Sequence, residues 1–267
     1  MTDEPARRPS YLSEVVGGAI RDAQERKLLA LVRSAPVPRH LAIIMDGNRR
    51  FAESHDLLIP EGHNQGKRKL EDILDWCLEV NVRVLTVFGL STENLHRTPD
   101  EVETLMDLIE QGFLDVAKDP RIHRHHIRVR ALGRRDLLPE RVRQAIARAE
   151  EATKDYSEYF FNLAIAYGGR DEIVQAIRSL AEDVRAGRLR PEEIDAEAVG
   201  RHLYTADMPD PDLILRTSGE ERVSNFLLWQ SAYSELYFSD VMWPGLTHLE
   251  FLRAIHAFQT RRRRYGR

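Results

Sequence analysis

Two hydrophobic patterns alternate along this chain. Short, continuous apolar runs are typical of strands buried on both faces of a sheet, and they predict strands at 41–45, 82–88, 126–132, 158–169, 212–219 and 235–239. Between them, apolar residues at helical spacing predict helices at 10–34, 63–80, 98–117 and 138–154, in the segment that ends at Ala186, and at 195–203 and 247–264. This alternation predicts a single α/β domain with a six-stranded, mostly parallel sheet flanked by helices. Residues 1–37 are predicted to form an N-terminal tail and an amphipathic helix.

The first predicted strand runs directly into the polar sequence DGNRR, residues 46–50. In open α/β sheets, ligands collect at the carboxyl ends of the strands. A carboxylate beside guanidinium groups and backbone amides suits a metal-bound phosphate, because the acid holds the cation and the arginines bind the oxygens. A turn closed by a surface salt bridge explains the same residues equally well.

Further polar groups follow two other predicted strands. The sequence GLSTENLHR, 89–97, concentrates hydroxyl, carboxylate and amide groups before a helix, and the segment 214–238 carries Arg216, Arg222 and Ser224, which suit an oxyanion. Together with Asp46, Arg50 and His63, these residues form two clusters of phosphate-binding type, which indicate two phosphorylated substrates. Two sets of surface salt bridges are the alternative. For AYGGR, 166–170, a tight structural turn is the favoured interpretation.

Composition narrows the classes of protein that fit. The chain has 267 residues, 42% hydrophobic and 31% charged, with a net charge of −4, so no overall positive field favours nucleic acid. Cys77 is the only cysteine, which excludes an intramolecular disulfide and fits a reducing, cytoplasmic location. No apolar run reaches the roughly 18 residues of a membrane span, so we expect at most peripheral membrane contact.

Other motifs are weak. GHNQGKRK, 62–69, has three residues between its glycines instead of the four of a phosphate-binding P-loop. EDILD, 71–75, resembles an aspartate-rich prenyl diphosphate motif, but it occurs once and inside a helix, where a solvated face explains it better. The histidines at 123, 125 and 126 have no cysteine partner for zinc.

The four stretches MDGNRRF, GLSTENLHR, YGGR and DLILRTSGEERVSNFLLWQSAYSELYF resemble the cis-prenyltransferases, the undecaprenyl diphosphate synthase family. The resemblance extends from about residue 38 to the C-terminus and implies a catalytic domain at 38–267. It further implies a magnesium-dependent homodimer that condenses isopentenyl diphosphate with an allylic diphosphate and forms a Z double bond. The fold it implies is a six-stranded parallel sheet with flanking helices and an apolar product tunnel, which we expect between helix 98–117 and strand 82–88.

The resemblance also assigns roles to individual residues. Asp46 is implied as the essential aspartate that holds magnesium, Glu235 as a second metal-binding acid, and Asn94 as the proton acceptor. Because an amide is a poor base, we expect Asn94 instead to orient a diphosphate oxygen or a water molecule that takes the proton. The residues implied in substrate binding are Gly47, Asn48, Arg49, Arg50, Phe51, His63, Ser91, Thr92, Glu93, Arg97, Arg216, Arg222, Val223, Ser224 and, across the dimer, Arg264 and Gly266.

Several positions depart from the long-chain members of the family. Those carry Gly at Arg49, Trp at Phe51 and Leu95, and Arg at Ile59, whereas MDGNRRF and STENL resemble actinobacterial short-chain members. We therefore expect geranyl or farnesyl diphosphate as the allylic substrate and a short product, Z-farnesyl diphosphate, which forms by one addition to geranyl diphosphate. A long-chain C50–C55 synthase is the alternative, and a non-catalytic lipid-diphosphate-binding subunit or carrier is a third.

Overall fold

The computed structural model describes the backbone of residues 11–261 and the side chains of residues 21–261. By their contacts, the described residues divide into two units, one of residues 38–246 and one that combines residues before 38 with residues after 246. The predicted division into residues 1–37 and 38–267 stays a prediction. The last helix groups with the first one, so the assignment of residues 247–267 to the catalytic domain stays a prediction.

The larger unit is built on one sheet of six parallel strands. The strands are β1 (His40–Ile44), β2 (Val84–Ser91), β3 (Ile127–Leu132), β4 (Tyr159–Tyr167), β5 (Leu213–Arg216) and β6 (Glu235–Phe238). Their order across the sheet is β3-β4-β2-β1-β5-β6, and each neighbouring pair is parallel. The predicted fold class is confirmed.

The helices follow the predicted pattern with two additions. They are α1 (Tyr11–Arg33), α2 (Asn48–Ser54), α3 (Ile59–Glu79), α4 (Pro99–Val116), α5 (Pro120–Arg124), α6 (Glu140–Thr153), α7 (Gly169–Arg185), α8 (Ala196–Arg201) and α9 (His248–Thr260). The sequence analysis missed the short helices α2 and α5, which are too short to show an apolar period. The last three residues of the sequence DGNRR therefore form the start of α2. The predicted end of the last helix, 261–264, lies mostly outside the described residues.

In the smaller unit, α1 and α9 pack against each other. His248 Nδ1 lies 2.9 Å from Glu25 Oε1, and the Gln259 side chain donates to the carbonyl oxygens of Val32 and Ala35 at 2.8 and 3.1 Å. Helix α1 runs through Gly17 and Gly18 without a break.

Strand β1 lies inside the sheet, between β2 and β5, and all five of its residues are buried, which suits a strand covered on both faces. Its two neighbours, β2 and β5, lead away in opposite directions along the sheet order. The carboxyl end of β1 is therefore a topological switch point, where open α/β sheets form a crevice.

A row of buried polar side chains crosses the sheet near the amino end of β1. His40 Nδ1 donates to the Pro209 carbonyl oxygen at 2.7 Å, and the Thr86 hydroxyl lies 2.8 Å from His40 Nε2. Asn162 donates to the same hydroxyl at 3.1 Å. Burial lowers the pKa of His40 to about 4, so the imidazole is neutral near pH 7.

Candidate active site

Asp46 follows the carboxyl end of β1, and neighbouring segments fix its backbone. Its N–H donates to the Thr217 hydroxyl at 3.0 Å, and its carbonyl oxygen accepts from that hydroxyl at 2.7 Å and from the Trp243 N–H at 3.0 Å. The next residue, Gly47, has φ 102°, and a Cβ atom there would lie 3.0 Å from the Cβ atoms of both Met242 and Ser218. Glycine is therefore required at this position, and the Asp46 carboxylate is held in place.

The Asp46 carboxylate lies between two arginines. Its Oδ2 accepts from Arg216 Nη2 at 2.7 Å, and its Oδ1 lies 3.7 Å from Arg50 Nη2. The Arg216 side chain is only 4% exposed, against 30% for Asp46. Arg216 also donates to the Ser224 hydroxyl at 2.6 Å and to the carbonyl oxygen of Arg222. A buried guanidinium beside a half-buried carboxylate is a preformed charge pair that a phosphate group can enter.

Two adjacent cavities open around this pair. The larger one, about 610 Å³, is lined by Ile44, Met45, Asp46, Asn48, His63, Phe88, Gly89, Leu90, Ser91, Glu93, Asn94, Arg97, Leu105, Arg216, Arg222, Ser224 and Asn225. The smaller one, about 330 Å³, is lined by Met45, Asp46, Gly47, Asn48, Arg49, Arg50, Glu53, His63 and Arg97. Five residues line both cavities: Met45, Asp46, Asn48, His63 and Arg97. The two predicted phosphate-binding clusters therefore meet.

His63 lies on α3, one turn after the helix begins. Its Nε2 atom is buried and has no hydrogen-bond partner among the described residues. Burial and the positive charges of Arg97 and Arg49 lower its pKa, while the Glu101 carboxylate opposes that shift. Arg97 donates to this carboxylate at 2.7 Å. His63 is thus a neutral imidazole next to cationic side chains, with a ring nitrogen available to a ligand.

The segment after β2 is closed on itself by Ser91 and Asn94. The Ser91 N–H donates to Asn94 Oδ1 at 3.1 Å, and the Asn94 N–H donates to the Ser91 hydroxyl at 3.2 Å. Because the side-chain carbonyl of Asn94 already accepts a backbone hydrogen bond, the amide NH₂ group is what it offers to a ligand. This geometry supports an orienting role for Asn94 and not that of a proton acceptor.

Several predicted residues lie outside the two cavities. Phe51 stacks on His55, with ring centroids 4.0 Å apart. Thr92 and Val223 are absent from both linings. Arg264 and Gly266 lie outside the described residues.

Glu235 is at the wrong edge of the sheet to join Asp46 within one chain. It pairs in parallel register with Leu213 at the start of β5, whereas Arg216 is in register with both Ile44 and Phe238. Five residues of strand rise separate Glu235 from the level of Asp46, which is roughly 16 Å. The structure therefore does not bring the two predicted metal-binding acids together within one chain, because a parallel strand presents its first residue at the amino edge, and the metal role of Glu235 stays a prediction.

Sequence reasoning missed other polar residues of the site. Thr217 holds the Asp46 backbone, Ser218 accepts from Arg50, Glu220 pairs with Arg50 at 3.5 Å and with Arg222, and Asn225 lines the larger cavity. All four belong to TSGEERVSN, 217–225, so the polar run after a buried strand was the available signal.

Comparison of the chain with known sequences and structures identifies the protein family to which this site belongs. Residues 44–266 match the family described as "Putative undecaprenyl diphosphate synthase". The chain belongs to the cis-prenyltransferases. It is 56% identical over 243 residues to a "Tritrans,polycis-undecaprenyl-diphosphate synthase (geranylgeranyl-diphosphate specific)" of Methanopyrus kandleri, covering 91% of this chain and 90% of the relative. A relative from Thermococcus kodakarensis with the same name is 51% identical, over 97% and 98% of the two chains.

Two solved structures share the fold. Lavandulyl diphosphate synthase from Lavandula x intermedia, in complex with dimethylallyl diphosphate, superposes with a TM-score of 0.81 at 34% identity and covers 86% of this chain and 99% of the other. A probable undecaprenyl diphosphate synthase from Campylobacter jejuni gives 0.71 at 36% identity, over 87% and 100% of the two chains. The protein is therefore a transferase of isoprenoid biosynthesis that acts on isoprenoid diphosphates. The particular likeness to actinobacterial short-chain members is not shown.

Cis-prenyltransferases generally use a divalent metal, and the site fits one. Among residues 21–261, no group of three or more His, Cys, Asp or Glu side chains could hold an ion. Asp46 offers one carboxylate beside two arginines, which matches a small hard cation that takes most of its ligands from water and substrate phosphates.

Within the described part of the chain, no helix combines the length and the apolar composition needed to cross a bilayer.

Proposed function

We propose that this cis-prenyltransferase condenses isopentenyl diphosphate with geranylgeranyl diphosphate, in the presence of Mg²⁺, and repeats the addition to form a long-chain polyprenyl diphosphate. The observation that carries the proposal is the pair of adjacent cavities that share Asp46, whose carboxylate pairs with Arg216 in the larger cavity. Two diphosphates need two such sites side by side. The names of the archaeal relatives favour geranylgeranyl diphosphate as the primer and the long-chain alternative over the predicted Z-farnesyl diphosphate.

The smaller cavity suits the allylic diphosphate. Arg49, Arg50 and Arg97 surround it, and His63 offers a free ring nitrogen at the wall shared with the larger cavity. When the allylic C–O bond breaks, negative charge develops on the departing diphosphate, and these positive groups stabilise it. Mg²⁺ held by Asp46 would supply further stabilisation of that charge.

The larger cavity suits isopentenyl diphosphate and the hydrocarbon chain. Arg216, Arg222 and Ser224 bind its diphosphate and place its terminal alkene carbon against the allylic carbon, so that a C–C bond forms as the C–O bond breaks. The isopentenyl C2 proton then leaves to a diphosphate oxygen that the Asn94 amide orients. Diphosphate and a proton are the co-products.

The apolar wall of the larger cavity leaves room for a growing chain. Gly89 lines it without a side chain, and Leu105 of α4 lies at its rim. Seven residues further along α4, about 10 Å, Gly112 and Phe113 line a separate apolar pocket against Phe161 and Leu163 of β4. Since positions seven apart lie on one helix face, we propose that a growing chain extends along α4 from Leu105 toward this pocket, which has a volume of about 70 Å³.

The test is radiolabelled isopentenyl diphosphate in excess with geranyl, farnesyl or geranylgeranyl diphosphate, with diphosphate release measured and the product sized by reverse-phase chromatography. We expect geranylgeranyl diphosphate to be the best primer and products of forty carbons or more to dominate. A dominant C15 product from geranyl diphosphate would restore the short-chain prediction. No diphosphate release would favour the non-catalytic subunit or carrier.

Gly112 offers a sharper test of product length. A Cβ atom at Gly112 meets nothing within 4 Å, so Gly112→Leu should fill the apolar pocket and shorten the main product by several units. Gly200→Leu on α8, where a Cβ atom also meets nothing within 4 Å, is the matched control and should leave product length unchanged. Equal product lengths for Gly112→Leu and the wild type would exclude this pocket from the chain path.

The described surface also supports the homodimer. Val174 and Ile177, on one face of α7, are 43% and 54% exposed, and Trp229 and Tyr233, shortly before the edge strand β6, are 37% and 82% exposed. Large exposed apolar side chains of this kind mark association surfaces. Analytical ultracentrifugation should give twice the chain mass. The roles of Arg264 and Gly266 across the dimer, the metal role of Glu235, the cytoplasmic location, peripheral membrane contact and the lack of nucleic-acid binding remain predictions.

A further inference from the structure

Asn225 joins three loops that come from three different strands. Its side-chain NH₂ donates to Glu93 Oε1 at 3.0 Å, in the segment after β2. Its side-chain carbonyl accepts from the Arg170 N–H at 2.9 Å, and its backbone carbonyl accepts from the Gly169 N–H at 2.7 Å, both just after β4. Asn225 itself belongs to the segment after β5. One side chain thus uses both ends of its amide to span the crevice.

The contacts of Asn225 leave no room for a side chain at either glycine of YGGR. A Cβ atom at Gly168 would lie 2.8 Å from Asn225 Nδ2 and 2.9 Å from the Thr92 hydroxyl. A Cβ atom at Gly169 would lie 2.8 Å from Leu228 Cγ and 3.0 Å from the Asn225 carbonyl oxygen. The YGGR motif, which the sequence favours as a tight turn, therefore also packs directly against Asn225, and its two glycines leave the space that Asn225 occupies.

The backbone and the charge at Asn225 both favour asparagine. Its φ of 66° is in the left-handed region, which asparagine tolerates better than most residues. Glu93 lines the larger cavity, and although partial burial opposes the shift, hydrogen bonds from its own backbone and from Ser91, Asn225 and Thr92 lower the pKa of its carboxyl group. The Asn225 amide therefore faces an ionised carboxylate and supplies the donor that this carboxylate needs.

We infer that Asn225 is a positioning residue that clamps the Glu93 segment to the segment carrying Arg222 and Ser224, and so shapes the larger cavity for isopentenyl diphosphate. The inference rests on the proposed function for the identity of that substrate. The hydrogen bond between Asn225 and Glu93, which are 132 positions apart in the sequence, joins the two walls of one cavity.

Asn225→Asp tests the clamp. Aspartate tolerates the same φ and keeps the acceptor for the Arg170 N–H, but it sets two carboxylates against each other where a 3.0 Å hydrogen bond stood. At pH 8 we expect the KM for isopentenyl diphosphate to rise about tenfold or more and that for the allylic primer to stay within about twofold. The defect should shrink toward pH 6, because one shared proton restores a hydrogen bond between the two acids.

The double variant Asn225→Asp with Glu93→Gln reverses the donor and the acceptor. Its KM for isopentenyl diphosphate should be lower than that of Asn225→Asp alone, which a merely structural role would not produce. Asn81→Asp is the matched control, since Asn81 has the same φ of 66° and accepts from the Tyr159 hydroxyl at 2.9 Å, and both KM values should remain within about twofold of wild type.

Two outcomes would overturn the inference: equal increases in both KM values for Asn225→Asp, or a double variant no better than the single one. Isothermal titration with isopentenyl diphosphate alone gives the same comparison without turnover. A wild type that is active, with a variant that binds isopentenyl diphosphate equally well, refutes the clamp and leaves the proposed function standing. A wild type that neither binds nor turns over this substrate refutes both.

Discussion

The two ends of β1 are buried to similar degrees, but the buried polar groups near them differ in how many have hydrogen-bond partners. At the amino end, both ring nitrogens of His40 and the Thr86 hydroxyl have partners inside the protein, and Asn162 Oδ1 is the one atom of this polar row that is buried without a partner among the described residues. Past the carboxyl end, His63 Nε2, Arg216 Nε and Asn48 Oδ1 are buried without a hydrogen-bond partner among the described residues. Buried polar groups are normally satisfied, and three unsatisfied atoms around one cavity, against one in the row at the amino end, fit the carboxyl end as the place that we propose for substrate.

We expect the largest loss of activity from a substitution at the carboxyl end of β1. Asp46→Asn should lower kcat about 100- to 1,000-fold, because the charge that pairs with Arg216, and that we propose holds the metal, is lost while the side-chain shape is kept. Steady-state kinetics at saturating Mg²⁺ measure the loss, and circular dichroism checks the fold. A folded variant that keeps more than about a tenth of the wild-type rate, a loss below about 1.4 kcal/mol, would remove Asp46 from its role.

At the amino end of β1 we expect an effect of intermediate size, on the free energy of unfolding and not on catalysis. His40 is neutral in the folded state, with its pKa lowered to about 4 from 6.5, so the unfolded chain binds the proton first as the pH falls. Stability is therefore complete above about pH 6.5 and declines by up to about 3 kcal/mol between pH 6.5 and pH 4. Urea unfolding at several pH values measures the decline.

His40→Gln provides the control for that measurement, because glutamine stays neutral and can form hydrogen bonds at the same place. The variant should lose part of the acid sensitivity and keep kcat near the wild-type value at pH 7.5. Identical pH slopes for the two proteins would show that His40 does not cause the acid sensitivity.

We expect the smallest loss of activity from a substitution that makes the Asp46 backbone less constrained but removes no charge. Thr217→Val keeps the shape of the side chain but deletes the hydroxyl that binds both the N–H and the carbonyl oxygen of Asp46. We expect kcat/KM to fall about tenfold, which is about 1.4 kcal/mol, and Thr217→Ser to restore most of it. If valine and serine behave alike, the hydroxyl does not position Asp46.

The parts that sequence predicted well depend on local pattern. The six strands and the long helices follow from apolar runs and periods, and β1 was located within one residue at each end. Helix α2 was missed because its seven residues follow Gly47, whose positive φ is invisible in the sequence. The Thr217–Asp46 and Asn225–Glu93 contacts span 171 and 132 positions, and no local pattern encodes a partner that distant. Glu235 shows the converse, since a motif can name a residue without revealing at which edge of the sheet it lies.

The wall shared by the two cavities has a consequence for processivity. After each addition, the lengthened chain carries the diphosphate that entered with isopentenyl diphosphate, and that group has to occupy the primer position before the next round. Because Met45, Asp46, Asn48, His63 and Arg97 line both cavities, the move that the proposed function requires is a short transfer along one shared wall, with Arg97 as the cationic side chain common to both cavities. We therefore expect intermediates to stay bound from one addition to the next, so that a chase with unlabelled primer leaves the labelled chains growing to full length.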